Sequence, residues 1–216
     1  MARAAAKVVA LKSNAKVSRE DWLTHALDAL VSDGVEEVKI LPLAERLGVS
    51  RSSFYWYFKS RKALLDALIA HWQATNTEAI LAAADEPALT VTGAVSNLFA
   101  CFIDAERFDP QLDFAVREWS RRSGPVRRVV DIADAARLEA ITRMFARYDT
   151  HGIEPGIRAR ILYYMQIGYY ALELNEPLDE RIGRVAAYLE GFTGQKPSAE
   201  EVEKLVRFSR RGASGS

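Results

Sequence analysis

The chain has 216 residues, of which 49% are apolar and 27% charged, enough apolar mass for a real core and too much for a chain that is disordered throughout. No apolar run approaches the roughly 18–20 residues needed to cross a bilayer, and Lys7, Lys12 and Lys16 are scattered through a beginning that lacks the apolar block of a secretion signal, so the chain reads as cytoplasmic with no membrane partner. Its 29 basic and 29 acidic residues cancel, but residues 1–66 hold three more bases than acids and the remainder three more acids than bases, a bias too small to establish nucleic-acid binding alone.

In chain order, residues 1–17 mix alanine with lysine and lack a helical apolar period, which marks a flexible basic arm. Ser18 with Asp21 three residues on starts a helix to about Asp33, whose apolar face carries Trp22, Ala26 and Leu30 beside Leu23, Leu27 and Val31; Gly34 stops it. A short helix spans about Leu41 to Leu47, Pro42 being tolerated in a first turn whose amides have no internal partner, and Gly48 ends it. Ser50 caps a second short helix to about Tyr57, and Ser60 caps a long one carrying Leu64, Leu65, Leu68, Ile69 and Trp72. Beyond Pro87, helices are expected at 89–107, 110–122, 125–149, 155–174, 178–191 and 198–210, separated by Asp109-Pro110, Gly124-Pro125, His151-Gly152, Glu176-Pro177 and the stretch from Gly194 to Pro197. Hairpin signals and β-branched alternation are missing, so the fold class is all-α with about ten helices. The division is an arm at 1–17, a three-helix unit at 18–64, a larger C-terminal unit at 65–211 and a flexible tail at 212–216.

The segment from Lys39 to Phe58 carries the functional signal. Two short helices meet at Gly48-Val49; Leu43, Ala44 and Leu47 on the first face Phe54 and Phe58 on the second, and Ala44 is small enough for a close crossing. That leaves Arg51, Ser52, Ser53, Tyr55, Trp56 and Tyr57 pointing away from the core. The same three aromatics also fit a plain aromatic corner of a helical core.

Leu43-Ala44, Gly48-Val49-Ser50, Phe54-Tyr55, Phe58 and Leu64 resemble the helix-turn-helix of the TetR family of transcriptional regulators. Arg61 stands where that family usually has Lys, and Lys39 where a Thr often opens the first helix of the motif. The resemblance implies that Ser50, Tyr55, Tyr57 and Arg61 hold phosphates and that Arg51, Ser52 and Ser53 face base edges; Lys39, though a departure from the family, has the reach and charge for a phosphate, and Trp56 shares the outward face, so both are expected on the DNA-binding surface. It also implies a repressor that binds double-stranded operator DNA as a homodimer and is released by a small apolar or aromatic effector. A helix-turn-helix regulator without an effector is the alternative. The second half resembles the family more loosely, through 112–120 and 136–145 followed by 153–172.

The helix near 155–174 is apolar on two sides, with Ile157, Ile161, Tyr164, Met165, Gly168 and Leu172 along one stripe and Tyr163, Ile167, Tyr170 and Leu174 along another. Such a helix is either buried within one chain or shared with a second copy, and Ile161, Met165, Gly168, Leu172, Ile182, Val185 and Leu189 are the expected dimer residues. Phe99, Phe102, Trp119, Met144, Tyr148, Tyr163 and Gln166 are the expected effector-binding residues, with Phe145, Met165 and Tyr169 as further large side chains and Arg117 and Glu118 as polar candidates. Cys101, the single cysteine, lies in an apolar stretch and reads as a small buried hydrophobe. His25, His71 and His151 are far apart and no Gly-rich phosphate loop or nucleophile elbow occurs, so no catalytic residue, metal or cofactor is expected.

Overall fold

The computed structural model describes residues 17–148, 152–172, 174 and 176–213, with side chains through 210. Most of the arm expected at 1–17, His151 and the last residues of the expected tail lie outside the described residues. Within them there are ten helices and no strand: α1 Arg19–Asp33, α2 Ile40–Leu47, α3 Arg51–Phe54, a bent α4, α5 Val91–Ile103, α6 Pro110–Ser120, α7 Gly124–Ala146, α8 Pro155–Ala171, α9 Leu178–Thr193 and α10 Ala199–Ala213. Helix α4 runs through Arg61–Trp72, a π-helical turn Gln73–Thr77 and Glu78–Asp85 without a break.

The helix starts have identifiable causes. The first amides of a helix lack internal acceptors, and Ser18 supplies one: its hydroxyl accepts from Asp21 N at 3.1 Å while the Asp21 carboxylate accepts from Ser18 N at 2.6 Å. Ser60 caps α4 in the same way through Ala63 N, and Asp109 caps α6 through Leu112 N with Pro110 at the first helical position. Gly48 sits at φ +66°, a left-handed conformation that costs a side-chain-bearing residue strain, and it turns the chain from α2 into α3.

Two cores form. The first gathers Trp22, Leu23, Ala26 and Leu30 of α1, Leu43 and Ala44 of α2, Phe54 and Phe58, and Leu64, Leu68 and Trp72 of α4, and it also takes in Leu112 and Val116 of α6 and Val126, Val130 and Ala133 of α7. The second joins the far part of α4 (Ile80, Ala83, Ala84) to α5, the far half of α7, α8 and residues of α9 and α10. Helix α4 therefore contributes to both, and the N-terminal core continues to Trp72 rather than closing at 64. Each fully buried Leu in such a core contributes about 1.5–3 kcal/mol relative to exposure, so Leu30→Ala, with its cavity, should cost about 2–5 kcal/mol.

The π-helical turn was not foreseen. It places Asn76 and Thr77 in the interior of a continuous helix. The Asn76 side chain donates to Asp109 O at 2.6 Å and accepts from Asp109 N at 3.2 Å, so one amide clamps the loop before α6 onto α4. No glycine or proline marks the bulge in the sequence.

Candidate nucleic-acid interface

Gly48 swings α3 across α2 so that Phe54 is fully buried, 5.2 Å edge-on from Trp22 and stacked at 5.5 Å on Phe58. With the inner side of α3 pinned, Arg51, Ser52, Tyr55 and Trp56 face outward, all exposed, and Ser53 is half-buried. Trp56 is 75% exposed, which rules out a plain aromatic corner for it: a large ring left in water contributes little to a core and is available to a partner. Tyr57 is different, half-buried with its hydroxyl donating to Val17 O at 2.5 Å, which fastens the segment leading into α1 to the end of the α3 turn.

The expected cap at Ser50 needs correction, and Arg61 and Lys39 have partners within the chain. Ser50 stands at the N-terminal end of α3, but its hydroxyl pairs with that of Ser52 at 2.8 Å and does not cap the helix. Arg61 is half-buried and donates from Nε to Val38 O and from Nη2 to Val35 O, both at 2.6 Å, so its fork braces the 3-10 turn Val35–Glu37 and only its remaining donors are left for a phosphate. Lys39 pairs with Glu37 at 2.9 Å, both exposed, an ion pair worth little in water and readily exchanged for a phosphate. Lys59, in the turn just before α4, is exposed.

A buried polar network that sequence reasoning missed lies where α4, α6, α7 and α8 meet. Asp113 receives Trp72 Nε1 at 2.8 Å, Arg137 Nη1 at 2.9 Å and Arg117 Nε at 2.8 Å. Arg117 forks onto Asp134 at 2.7 and 2.9 Å, and the Tyr163 hydroxyl donates to Asp134 at 2.7 Å. Arg137 also donates to the Thr77 hydroxyl at 2.9 Å and lies 4.9 Å over the Trp72 ring. Two guanidiniums and two carboxylates balance, which is how a fully buried Arg137 is tolerated. Burial pushes the Asp113 carboxyl up, but the Arg137 and Arg117 guanidiniums outweigh it and hold the group below the usual carboxylate range; burial pushes the Tyr163 phenol up. Arg117 and Tyr163 had been singled out from the sequence, both as possible ligand contacts.

Beyond this network, a cavity of about 440 Å³ opens between α5, α8, α9 and α10, a volume suited to a small organic molecule. Phe99, Phe102 and Gln166 of the expected effector residues line it, together with Met165 and Tyr169 and with Tyr170, Arg181 and Tyr188, which had not been assigned to it. Four expected residues do not. Trp119 packs on the N-terminal core, Met144 is fully enclosed in the C-terminal core, Tyr148 donates to Ala88 O at 2.9 Å, and Tyr163 belongs to the polar network. Aromatic composition identified large side chains but not which helix face each occupies. Cys101 is buried, and burial pushes its thiol up to about 11.

Along α8, Ile157, Ile161, Tyr164 and Leu172 are each about half exposed or more, from 48 to 70%, and nothing stands near Gly168. Of the expected dimer residues, Met165, Ile182 and Val185 are half-buried around the cavity and Leu189 is fully buried inside the chain's own core, so Leu189 has no surface to offer a partner. Among the described residues no helix is long and apolar enough to cross a membrane.

Comparison with known proteins bears on this geometry. Residues 23–68 match the family described as bacterial regulatory proteins, tetR family. The chain is similar to the class C tetracycline repressor protein of Escherichia coli, 47% identical over 53 residues that make up 24% of each chain, and to the class D repressor of the same organism, 35% identical over 72 residues, 33% of each. The matched stretch thus spans between a quarter and a third of these relatives. In fold the chain resembles the Mycobacterium smegmatis AmtR (TM-score 0.59, 15% identity, 94% of this chain and 97% of that one) and the Salmonella enterica GusR (TM-score 0.56, 13% identity, 91% and 95%).

Proposed function

We propose that this chain, a member of the TetR family of transcriptional regulators, binds operator DNA as a cytoplasmic homodimer, represses transcription there, and is released by a small apolar or aromatic effector. The observation that carries the reading is the outward face of α3 and its turn: Arg51, Ser52, Tyr55 and the exposed Trp56 stand on a side chain, Phe54, that is fully buried, so the face is rigid and presented. Arg51 and Ser52 reach base edges in the major groove, and Tyr55, Lys39, Lys59 and the spare donors of Arg61 hold phosphates on either side.

One such helix makes too few base contacts for specificity, and a two-fold partner supplies the next half-site one helical turn away. The exposed apolar stripe of α8 is the surface that a second copy covers, because an uncovered stripe of this kind is rare on a monomer. Release follows from a shared element. Helix α8 carries Met165, Gln166 and Tyr170 into the cavity and, one turn earlier, Tyr163 into the network that holds Trp72 and Thr77 of α4. An effector that fits the cavity better with α8 displaced biases α4, whose first residues sit at the DNA end, and so changes the spacing of the two α3 helices. Typical coupling of about 1–3 kcal/mol weakens operator binding roughly 5–150-fold.

The test is fluorescence anisotropy of the protein on a labelled fragment from the intergenic region beside its own gene, with excess random DNA. Binding that survives the competitor in wild-type protein and is lost in Trp56→Ala and Arg51→Ala supports the reading. Equal affinity for the fragment and for random DNA removes operator recognition from it.

A further inference from the structure

We propose that the turn between α6 and α7 is a second, sequence-independent contact for the phosphate backbone of duplex DNA. The inference rests on the DNA-binding reading above and extends it to a surface outside the helix-turn-helix. Arg121, Arg122, Arg127 and Arg128 fall within eight consecutive residues that contain no carboxylate, and all four are exposed. Arg121 pairs with Glu118 at 3.2 Å and Arg127 with Asp131 at 2.7 Å, both on solvent-exposed helix faces where a phosphate competes easily. Among the described residues Arg122 and Arg128 have no ion pair. Ser123 does not cap α7 with its side chain, so the first amides of a 23-residue helix add partial positive charge to the same turn.

Position decides what this charge faces. A groove lined by Val31 and Ser32 of α1, His71 and Thr75 of α4 and Gln111 and Leu112 of α6 aligns the late part of α1 and the π-turn region of α4 with the start of α6. Arg19 sits 4.9 Å over Phe58 and Tyr57 holds Val17, which places the start of α1 beside the end of the α3 turn. From the groove, α6 stays on the N-terminal core through Leu112, Val116 and Trp119, and α7 returns along it through Val126, Val129 and Val130. α6 and α7 thus hold the arginine turn against the DNA-binding unit. A basic turn docked on the DNA-binding unit meets the same polyanion as α3, and arginines without an orienting network read charge rather than sequence.

The experiment is the salt dependence of affinity for an arbitrary duplex of about 30 base pairs, long enough for two half-sites and flanks. Wild-type protein is compared with Arg121→Gln/Arg122→Gln/Arg127→Gln/Arg128→Gln, with folding checked by circular dichroism, and with Arg143→Gln/Arg207→Gln, which removes two exposed arginines elsewhere. Each lost phosphate contact flattens the log–log slope by about 0.9, so the quadruple variant should lose about 2 to 4 per protomer and bind roughly tenfold or more weakly at low salt, while the control keeps the wild-type slope. A wild-type slope in the quadruple variant, with Trp56→Ala still weakened, overturns this inference and leaves the DNA-binding reading standing. So does an equal loss per arginine in the control, which reports only net charge, or a wild-type duplex slope with lost sedimentation onto phosphatidylserine vesicles, which assigns the turn to a membrane surface. Failure of the wild-type protein to bind any duplex overturns both.

Discussion

Arg137→Met tests whether the buried network is one charge-balanced unit. The wild-type cluster holds Arg117 and Arg137 against Asp113 and Asp134. Removing Arg137 leaves an uncompensated carboxylate in the interior, strips the Thr77 hydroxyl of its donor and uncovers the face of Trp72, and the loss of one partner from a buried pair costs about 3–5 kcal/mol. Asp113→Leu leaves the opposite imbalance and a Trp72 N–H without its acceptor, a similar cost. In the double variant the remaining Arg117, Asp134 and Tyr163 are neutral and still bonded to one another. The double keeps no uncompensated charge and leaves mainly the Trp72 N–H unpaired, so it should cost about 1–3 kcal/mol rather than the roughly 6–10 of the sum, a coupling of at least about 3 kcal/mol. Urea unfolding followed by far-ultraviolet circular dichroism, at one fixed protein concentration, measures this. Additivity within about 0.5 kcal/mol would refute the reasoning, because it means the four charges do not share one environment.

Three further outcomes follow from the same geometry. Asp113 has its native pKa depressed, so the native state binds fewer protons; its contribution is fully present at neutral pH and lost as pH falls below about 4, and Asp113→Asn should flatten stability against pH on that acid side only, read from thermal midpoints between pH 3 and pH 7. Ile161→Glu/Leu172→Glu should give a folded monomer by analytical ultracentrifugation with operator affinity reduced about 100-fold or more, whereas a dimer of wild-type stability would mean that another face pairs. Arg61→Ala should lower stability by about 1.5–3 kcal/mol in the absence of DNA, because two charged donors to Val35 O and Val38 O are lost; a change in DNA affinity without a change in stability would make it a phosphate contact alone.

Helix starts and stops were legible because they depend on local chemistry. Ser18 with Asp21, Ser60, Gly34, Gly48 and Pro110 stand where the backbone needs a cap, a left-handed residue or a first-turn proline, and the boundaries fall within a few residues of expectation. The outward face of α3 was legible for the same reason: Phe54 and Phe58 are one turn apart, so their neighbours point away. What escaped depends on contacts distant in sequence. Arg137 and Asp134 look like ordinary helix-surface charges until α6 and α8 fold over them. The π-turn of α4 rests on Asn76 meeting the backbone of Asp109, thirty-three residues away. In the cavity, composition could not separate Tyr163, turned into the network, from Tyr170, whose hydroxyl donates to Phe102 O at the cavity's edge.

The central claim is that two α3 helices of a homodimer read successive major grooves of one operator. Its most direct measurement is the affinity and stoichiometry of the protein on the intergenic fragment beside its gene, by anisotropy and analytical ultracentrifugation at physiological salt. The account predicts two protomers per half-site pair, nanomolar-range binding at least about 1,000-fold tighter than to scrambled DNA, and loss of that discrimination in Arg51→Ala. One protomer bound per site, or the same affinity for scrambled DNA, would contradict it.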